Sequence, residues 1–138
     1  MKRSFTFGRK NKYKAKPADG FGSLLERAVY YRLVDRQLLG EITDIKRQQA
    51  VLLSEVNKDG SPKEDGERRR WKVDFSAVEV ATGRTVYFEA KGYETNDYIR
   101  KRNLWRKNPP ARLEIWKGTH QRLRLVEVID PKYKEGGE

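Results

Sequence analysis

Cysteine is absent from this chain, histidine and methionine occur once each, and no apolar run approaches the length of a membrane-spanning helix. Each absence removes a class of chemistry. Without cysteine there is no disulfide, no thiolate zinc site and no cysteine nucleophile. The single imidazole, His120, follows Gly118-Thr119 in a turn, so it is expected on the surface and a Ser-His-Asp triad has little to build on. No stretch reads as a signal-peptide core, so the expectation is no membrane and a cytoplasmic protein, in a host cell's cytoplasm if the chain is phage-encoded. Any catalysis must then use carboxylates, lysine and a metal. Missing cysteine, a lone methionine and 37% charged residues also fit heat adaptation.

What the chain has in excess is positive charge. Lys and Arg outnumber Asp and Glu by 31 to 20, a net +11 over 138 residues. That field exceeds what solubility needs and attracts a polyanion, with nucleic acid preferred over a membrane surface. The length suits one domain with one core.

Trp71 to Lys91, WKVDFSAVEVATGRTVYFEAK, is the organising stretch. Apolar runs flank Ala81-Thr82-Gly83-Arg84, which reads as a β-hairpin. Strand side chains alternate faces, so Glu89 and Lys91 share one face. A two-residue turn at 82–83, or a loop at 81–84, sets Asp74 opposite Lys91 and Ser76 opposite Glu89. Asp74, Glu89 and Lys91 then converge, while Val73, Phe75 and Ala77 join the apolar side. An odd loop would break this, since a one-residue slip flips every side chain. Two carboxylates beside an ammonium can hold Mg²⁺ against a phosphate, with the lysine orienting a nucleophile or balancing charge. The plain alternative is a cross-strand ion pair on a wet sheet face. In so charged a chain the triplet recurs loosely at Asp44-Ile45-Lys46 and Asp130-Pro131-Lys132.

Around this hairpin the chain divides into an arm, a domain and a tail. Residues 1–22 carry seven Lys or Arg and one Asp, a flexible basic arm in which Lys2, Arg3, Arg9, Lys10, Lys12 and Lys14 can grip phosphates. A helix is predicted over 23–39, opened by Ser23 with Glu26 as a capping box and stopped by Gly40. Glu26 is thereby either a cap or a carboxylate reaching the sheet. A strand covers 42–55, with Gln49, Val51 and Leu53 on one face. A polar loop at 56–69 leads into Arg68, Arg69 and Arg70. Thr95 caps a basic helix over 96–107, with Arg100, Lys101 and Arg102, which Pro109-Pro110 ends. Strands follow at 111–117 and 122–128, and a polar tail at 131–138 closes a domain of 23–130. A strand–helix–strand crossover makes part of the sheet parallel.

Glu26 on a helix, Asp74 on a strand, Glu89-Ala90-Lys91 on the next, and this element order resemble the PD-(D/E)-x-K nuclease superfamily. Within it, GFGSLLERAVYYRL, KVDFSAVEV, YFEAKG and the basic helix most resemble the archaeal-type Holliday junction resolvases and related phage endonucleases. Val73 stands where the superfamily's proline often does. The resemblance covers roughly 20–117 and implies an α/β, restriction-endonuclease-like αβββαβ core, a mixed sheet flanked by helices. It further implies Mg²⁺, with Mn²⁺ as a substitute, held by Asp74, Glu89, the Ala90 carbonyl and Glu26. Lys91 would position the attacking water and Gln49 would support the site. Branched double-stranded DNA would be the substrate and a homodimer the working unit, with Tyr98, Trp105 and Trp116 as candidates for its apolar centre, although core packing is the favoured role for any one of them. Other nucleases of this core, and a non-catalytic basic binding module, are the competing readings.

Overall fold

The computed structural model describes residues 20–54, 57–59 and 68–131. Most of the basic arm, including its six named cations, therefore lies outside the described residues, as do most of the 56–69 loop and the tail after Pro131. Helix α1 spans Leu24–Leu38, β1 Ile42–Ser54, β2 Arg68–Glu79 and β3 Thr85–Ala90; α2 spans Asn96–Lys107, β4 Arg112–Gly118 and β5 Leu123–Ile129.

Local chemistry explains where the helices begin and end. The Ser23 hydroxyl accepts the Glu26 N–H at 3.0 Å, and Gly40, at φ +81°, supplies the left-handed turn after α1. Thr95 does the same for α2 at its start, accepting the Tyr98 N–H at 3.1 Å. Neither helix is long and apolar enough to cross a membrane.

The five strands lie in chain order in a single sheet. Neighbours are antiparallel except β3 and β4, which α2 joins as a parallel crossover. The helices cover opposite faces, because successive residues in the middle strands serve different cores. Phe88 packs with Val29 and Leu33 of α1, whereas Tyr87, Leu113 and Ile115 pack with Leu104 and Trp105 of α2. Trp105, fully buried, meets Trp71 and Tyr87 edge-on, each at 5.6 Å, and its indole N–H donates to the Ala111 carbonyl at 2.9 Å. Tyr98 and Trp116 are buried too, so all three candidates for a dimer centre are core residues. The apolar surface left exposed includes Leu125, Val126 and Val128 on the edge strand β5.

Four expectations change in detail. The turn is a four-residue loop at 80–83: β2 and β3 pair as Ser76↔Tyr87 and Val78↔Thr85, two residues from the expected register. Val80 extends β2's bonding to β1 through the Glu41 carbonyl, and Gly83, at φ +75°, closes the loop onto Glu79. Being even, the shift keeps Asp74 and Glu89 on a common face and makes them, not Asp74 and Lys91, the facing pair. Val73 packs in the α2 cluster while Phe75 and Ala77 pack in the α1 cluster, so β2 changes cores at Asp74. The chain from Gly20 belongs to the domain rather than the arm: Phe21 is buried against Tyr30 and Phe75. Strand β1 is irregular, with Asp44 and Gln48 left-handed at φ +60° and +55°.

Candidate active site

The site forms where β2 and β3 part. Their backbone ladder ends at Phe75↔Phe88. Beyond it, side chains replace the ladder: Glu89 Oε1 accepts the Asp74 N–H at 3.2 Å, and Asp74 Oδ2 accepts the Ala90 N–H at 2.9 Å. Each carboxylate thus satisfies a backbone donor that the diverging strands would leave orphaned. Strand β3 stays with β4, for Lys91 N–H donates to the Trp116 carbonyl at 3.0 Å. Lys91 Nζ lies 3.8 Å from Glu89 Oε2 and 4.8 Å from the centre of the Tyr98 ring. The result is an open cleft of about 280 Å³ walled by Trp71 and Tyr98, holding Asp74, Glu89 and Lys91, with Lys72 and Lys101 at its rim.

Glu26 lies in the first turn of α1, and its side chain reaches strand β1. Its backbone N–H is the capped donor of α1, and its carboxylate lies near enough for its charge to raise the Asp74 and Glu89 pKa values. Oε1 accepts the Gly22 N–H at 3.3 Å and Oε2 accepts the Gln48 amide at 3.2 Å. Gln49, the expected support, donates instead to the Arg47 carbonyl at 2.9 Å. Strand β1 turns left-handed at Gln48, and it is Gln48 that meets Glu26; a non-glycine residue with positive φ leaves no mark in the sequence.

Electrostatics makes the acidic pair demanding. Burial pushes the Asp74 carboxyl up to about 6, with Glu26 adding to the rise and the Ala90 N–H and Lys91 opposing it. Burial and then the Asp74 charge push Glu89 up to about 8, against the pull of Lys91. Near neutral pH a bare dianion is therefore disfavoured, at ~1.4 kcal/mol for each unit of raised pKa. A hard divalent cation would relieve it. The donors are carboxylate oxygens, and the cleft is open enough for an ion to keep water. Among the described residues, no three acid or histidine side chains converge closely enough to cage a metal by themselves. Asp74 and Glu89 are the fitting pair, and Glu26 has both oxygens already bonded, to Gly22 and Gln48. Burial, then the nearby Glu89 charge, raises the Tyr98 hydroxyl pKa, and among the described residues that buried hydroxyl has no hydrogen-bond partner of good geometry.

No family model, curated protein or solved structure matches the chain.

The basic residues divide. Arg70 and Arg100 are exposed. Lys101 pairs with Asp97 at 3.0 Å on the rim of the cleft. Arg102 turns inward: it bonds Glu94 at 3.0 Å, and its guanidinium lies 5.3 Å from the centre of the Tyr98 ring. Lys117 also bonds Glu94 and holds that carboxyl below its usual range. Arg102 thus braces the loop after Lys91 rather than facing outward for phosphate. Of Arg68 and Arg69 only the backbone, at the start of β2, is described. His120 is exposed, as expected.

The raised carboxyls fix the sign of a pH effect. Between the ordinary carboxylate range and about pH 8 the folded state holds more protons than the unfolded one. The pair's contribution to stability is therefore fully present below about pH 4, and it is lost as pH rises through about 6 and then about 8. Asp74→Asn, which cannot ionise, should melt above wild type in EDTA, and the gap should widen from pH 5 to pH 8.5. Divalent metal at ten times its Kd should return ~1.4 kcal/mol to the wild type and nothing to the variant. Thermal melts across pH, with and without Mn²⁺, measure both.

Proposed function

We propose that this chain is a Mg²⁺-dependent, structure-selective DNA endonuclease with a PD-(D/E)-x-K type core, acting on four-way junctions. The observation that carries the reading is the Asp74–Glu89 pair, half-buried and buried in turn, at the parting of two strands, with Lys91 Nζ 3.8 Å from Glu89. A solvated surface ion pair would not bury one carboxylate to 4% exposure, nor raise two carboxyls together. In this reading Asp74 and Glu89 hold the cation, and Glu26 adds negative charge near them. When bound, the cation activates water and offsets charge on the phosphoryl group. Lys91, kept between Glu89 and the Tyr98 ring, orients the attacking water and steadies charge developing on the scissile phosphate. Lys72, Lys101 and the exposed arginines meet the flanking backbone, which gives affinity without reading bases.

Two symmetric cuts require two sites related by a twofold axis, and in this reading a second copy would dock on edge strand β5, where Leu125, Val126 and Val128 are exposed. The test is to map cuts on a synthetic four-way junction beside a linear duplex of the same sequence, in Mg²⁺. Paired symmetric nicks in the junction alone support the whole reading. Equal cutting of both substrates removes the junction selectivity and leaves a nuclease. Tight junction binding with no cut in any divalent metal makes the protein a binding module.

A further inference from the structure

Strand β1 holds two left-handed residues, and they differ in kind. Asp44 belongs to a register shift between Thr43 and Lys46, and aspartate tolerates that conformation well. Gln48 has neither excuse. The register runs unbroken from Arg47↔Phe75 to Gln49↔Val73, which leaves Gln48 across from Asp74. Gln48 is also exposed, so no buried apolar area offsets its backbone strain.

What the left-handed turn achieves is visible in its neighbours. Arg47 reaches the chain entering α1: its guanidinium lies 3.9 Å from the centre of the Phe21 ring and donates to the Gly20 carbonyl at 2.9 Å. Gln48 reaches the first turn of the same helix, donating to Glu26 Oε2 at 3.2 Å. Consecutive residues of a regular strand point to opposite faces and cannot both do this. The positive φ at Gln48 breaks the alternation and brings the amide to the carboxylate. Strain of this kind persists where the surroundings over-determine it, commonly at functional sites.

We propose that Gln48 is a positioning residue of the site: its left-handed backbone turns the side-chain amide onto Glu26 and fixes that carboxylate near Asp74 and Glu89. It acts through Glu26 and touches neither substrate nor metal. The inference rests on the metal-dependent reading above and adds to it a residue whose type and spacing gave no sign of the role. Outer residues that orient a carboxylate at a metal site commonly alter metal affinity by ~10-fold or more.

The test uses full-length Gln48→Gly, which keeps the left-handed turn without strain, and Gln48→Met, which keeps the length without the amide. Melting temperature is followed against Mn²⁺, beside wild type and Asp74→Asn. Both Gln48 variants should need ~10-fold more Mn²⁺ for half of the metal-induced rise. Gln48→Gly should melt at or above wild type in EDTA. Should Gln48→Gly not fold, Gln48→Met decides alone. Wild-type Mn²⁺ response in the Gln48 variants, with Asp74→Asn unresponsive, overturns the inference and leaves the metal reading standing. A lower melt in EDTA with an unchanged Mn²⁺ midpoint reduces Gln48 to a structural residue and also overturns it. No response in the wild type removes both.

Discussion

Asp74→Asn should abolish Mg²⁺-dependent junction cleavage, by ~10³-fold or more, while junction binding is retained. The substitution is nearly isosteric, and the amide oxygen it introduces can still accept the Ala90 N–H that Asp74 Oδ2 accepts at 2.9 Å. The strands stay parted and the cleft keeps its shape. What disappears is one of the two charges that would hold the cation. A metal that polarises a phosphoryl oxygen supplies several kcal/mol of transition-state stabilisation, and each 1.36 kcal/mol is about tenfold in rate. Binding depends on the cationic surface, which the substitution leaves untouched and makes slightly more positive. Glu89→Gln should behave alike. Lys91→Ala should lose less, ~10²-fold, as for removal of one charge-stabilising donor. Single-turnover cleavage and electrophoretic shift on the same junction separate the two effects. Loss of binding in step with cleavage would make Asp74 a structural residue.

Glu114→Ala should be the most destabilising single change at a charged position, at ~3 kcal/mol and roughly 10 °C in melting temperature. Glu114 is 3% exposed in the middle of β4. Its carboxylate accepts from Arg36 of α1 at 3.1 Å and from the Trp116 indole at 3.2 Å, and Arg112 approaches at 3.7 Å. Removing the acceptor leaves a buried indole N–H and a guanidinium packed on Phe88 without this partner, and unpins α1 from the sheet. Arg36 is about a quarter exposed, so solvent recovers part of the loss and places the cost at the low end of the range for a broken buried pair. Glu114→Gln keeps an acceptor and should cost less than half as much. Chemical denaturation of the three proteins checks the order; equal stability of Glu114→Ala and wild type would refute it.

These two residues also mark what the sequence could and could not disclose. Asp74, Glu89 and Lys91 were legible because strand periodicity tolerates even errors. The hairpin register differs by two residues, and the three side chains still meet. Helices α1 and α2 were legible because Ser23, Gly40, Thr95 and Pro109-Pro110 act locally. Glu114 was not, since alternation in ARLEIWK marks it as outward-facing. Only a sheet covered on both faces buries it, and its partner Arg36 lies 78 residues away. The contact of Gln48 with Glu26 was not legible, since it depends on a left-handed backbone that carries no residue signature. Tyr98, Trp105 and Trp116 announced large apolar surface, but whether that surface meets the protein's own sheet or a second copy depends on packing that no local pattern encodes.

Wild-type protein incubated with a labelled four-way junction, in Mg²⁺ and separately in EDTA, tests the central claim most directly. The account predicts nicked product in Mg²⁺, none in EDTA, and tight binding in both. Equal cleavage in EDTA, or tight binding with no cut in either Mg²⁺ or Mn²⁺, would contradict it. In either case the acidic pair between β2 and β3 would need another purpose.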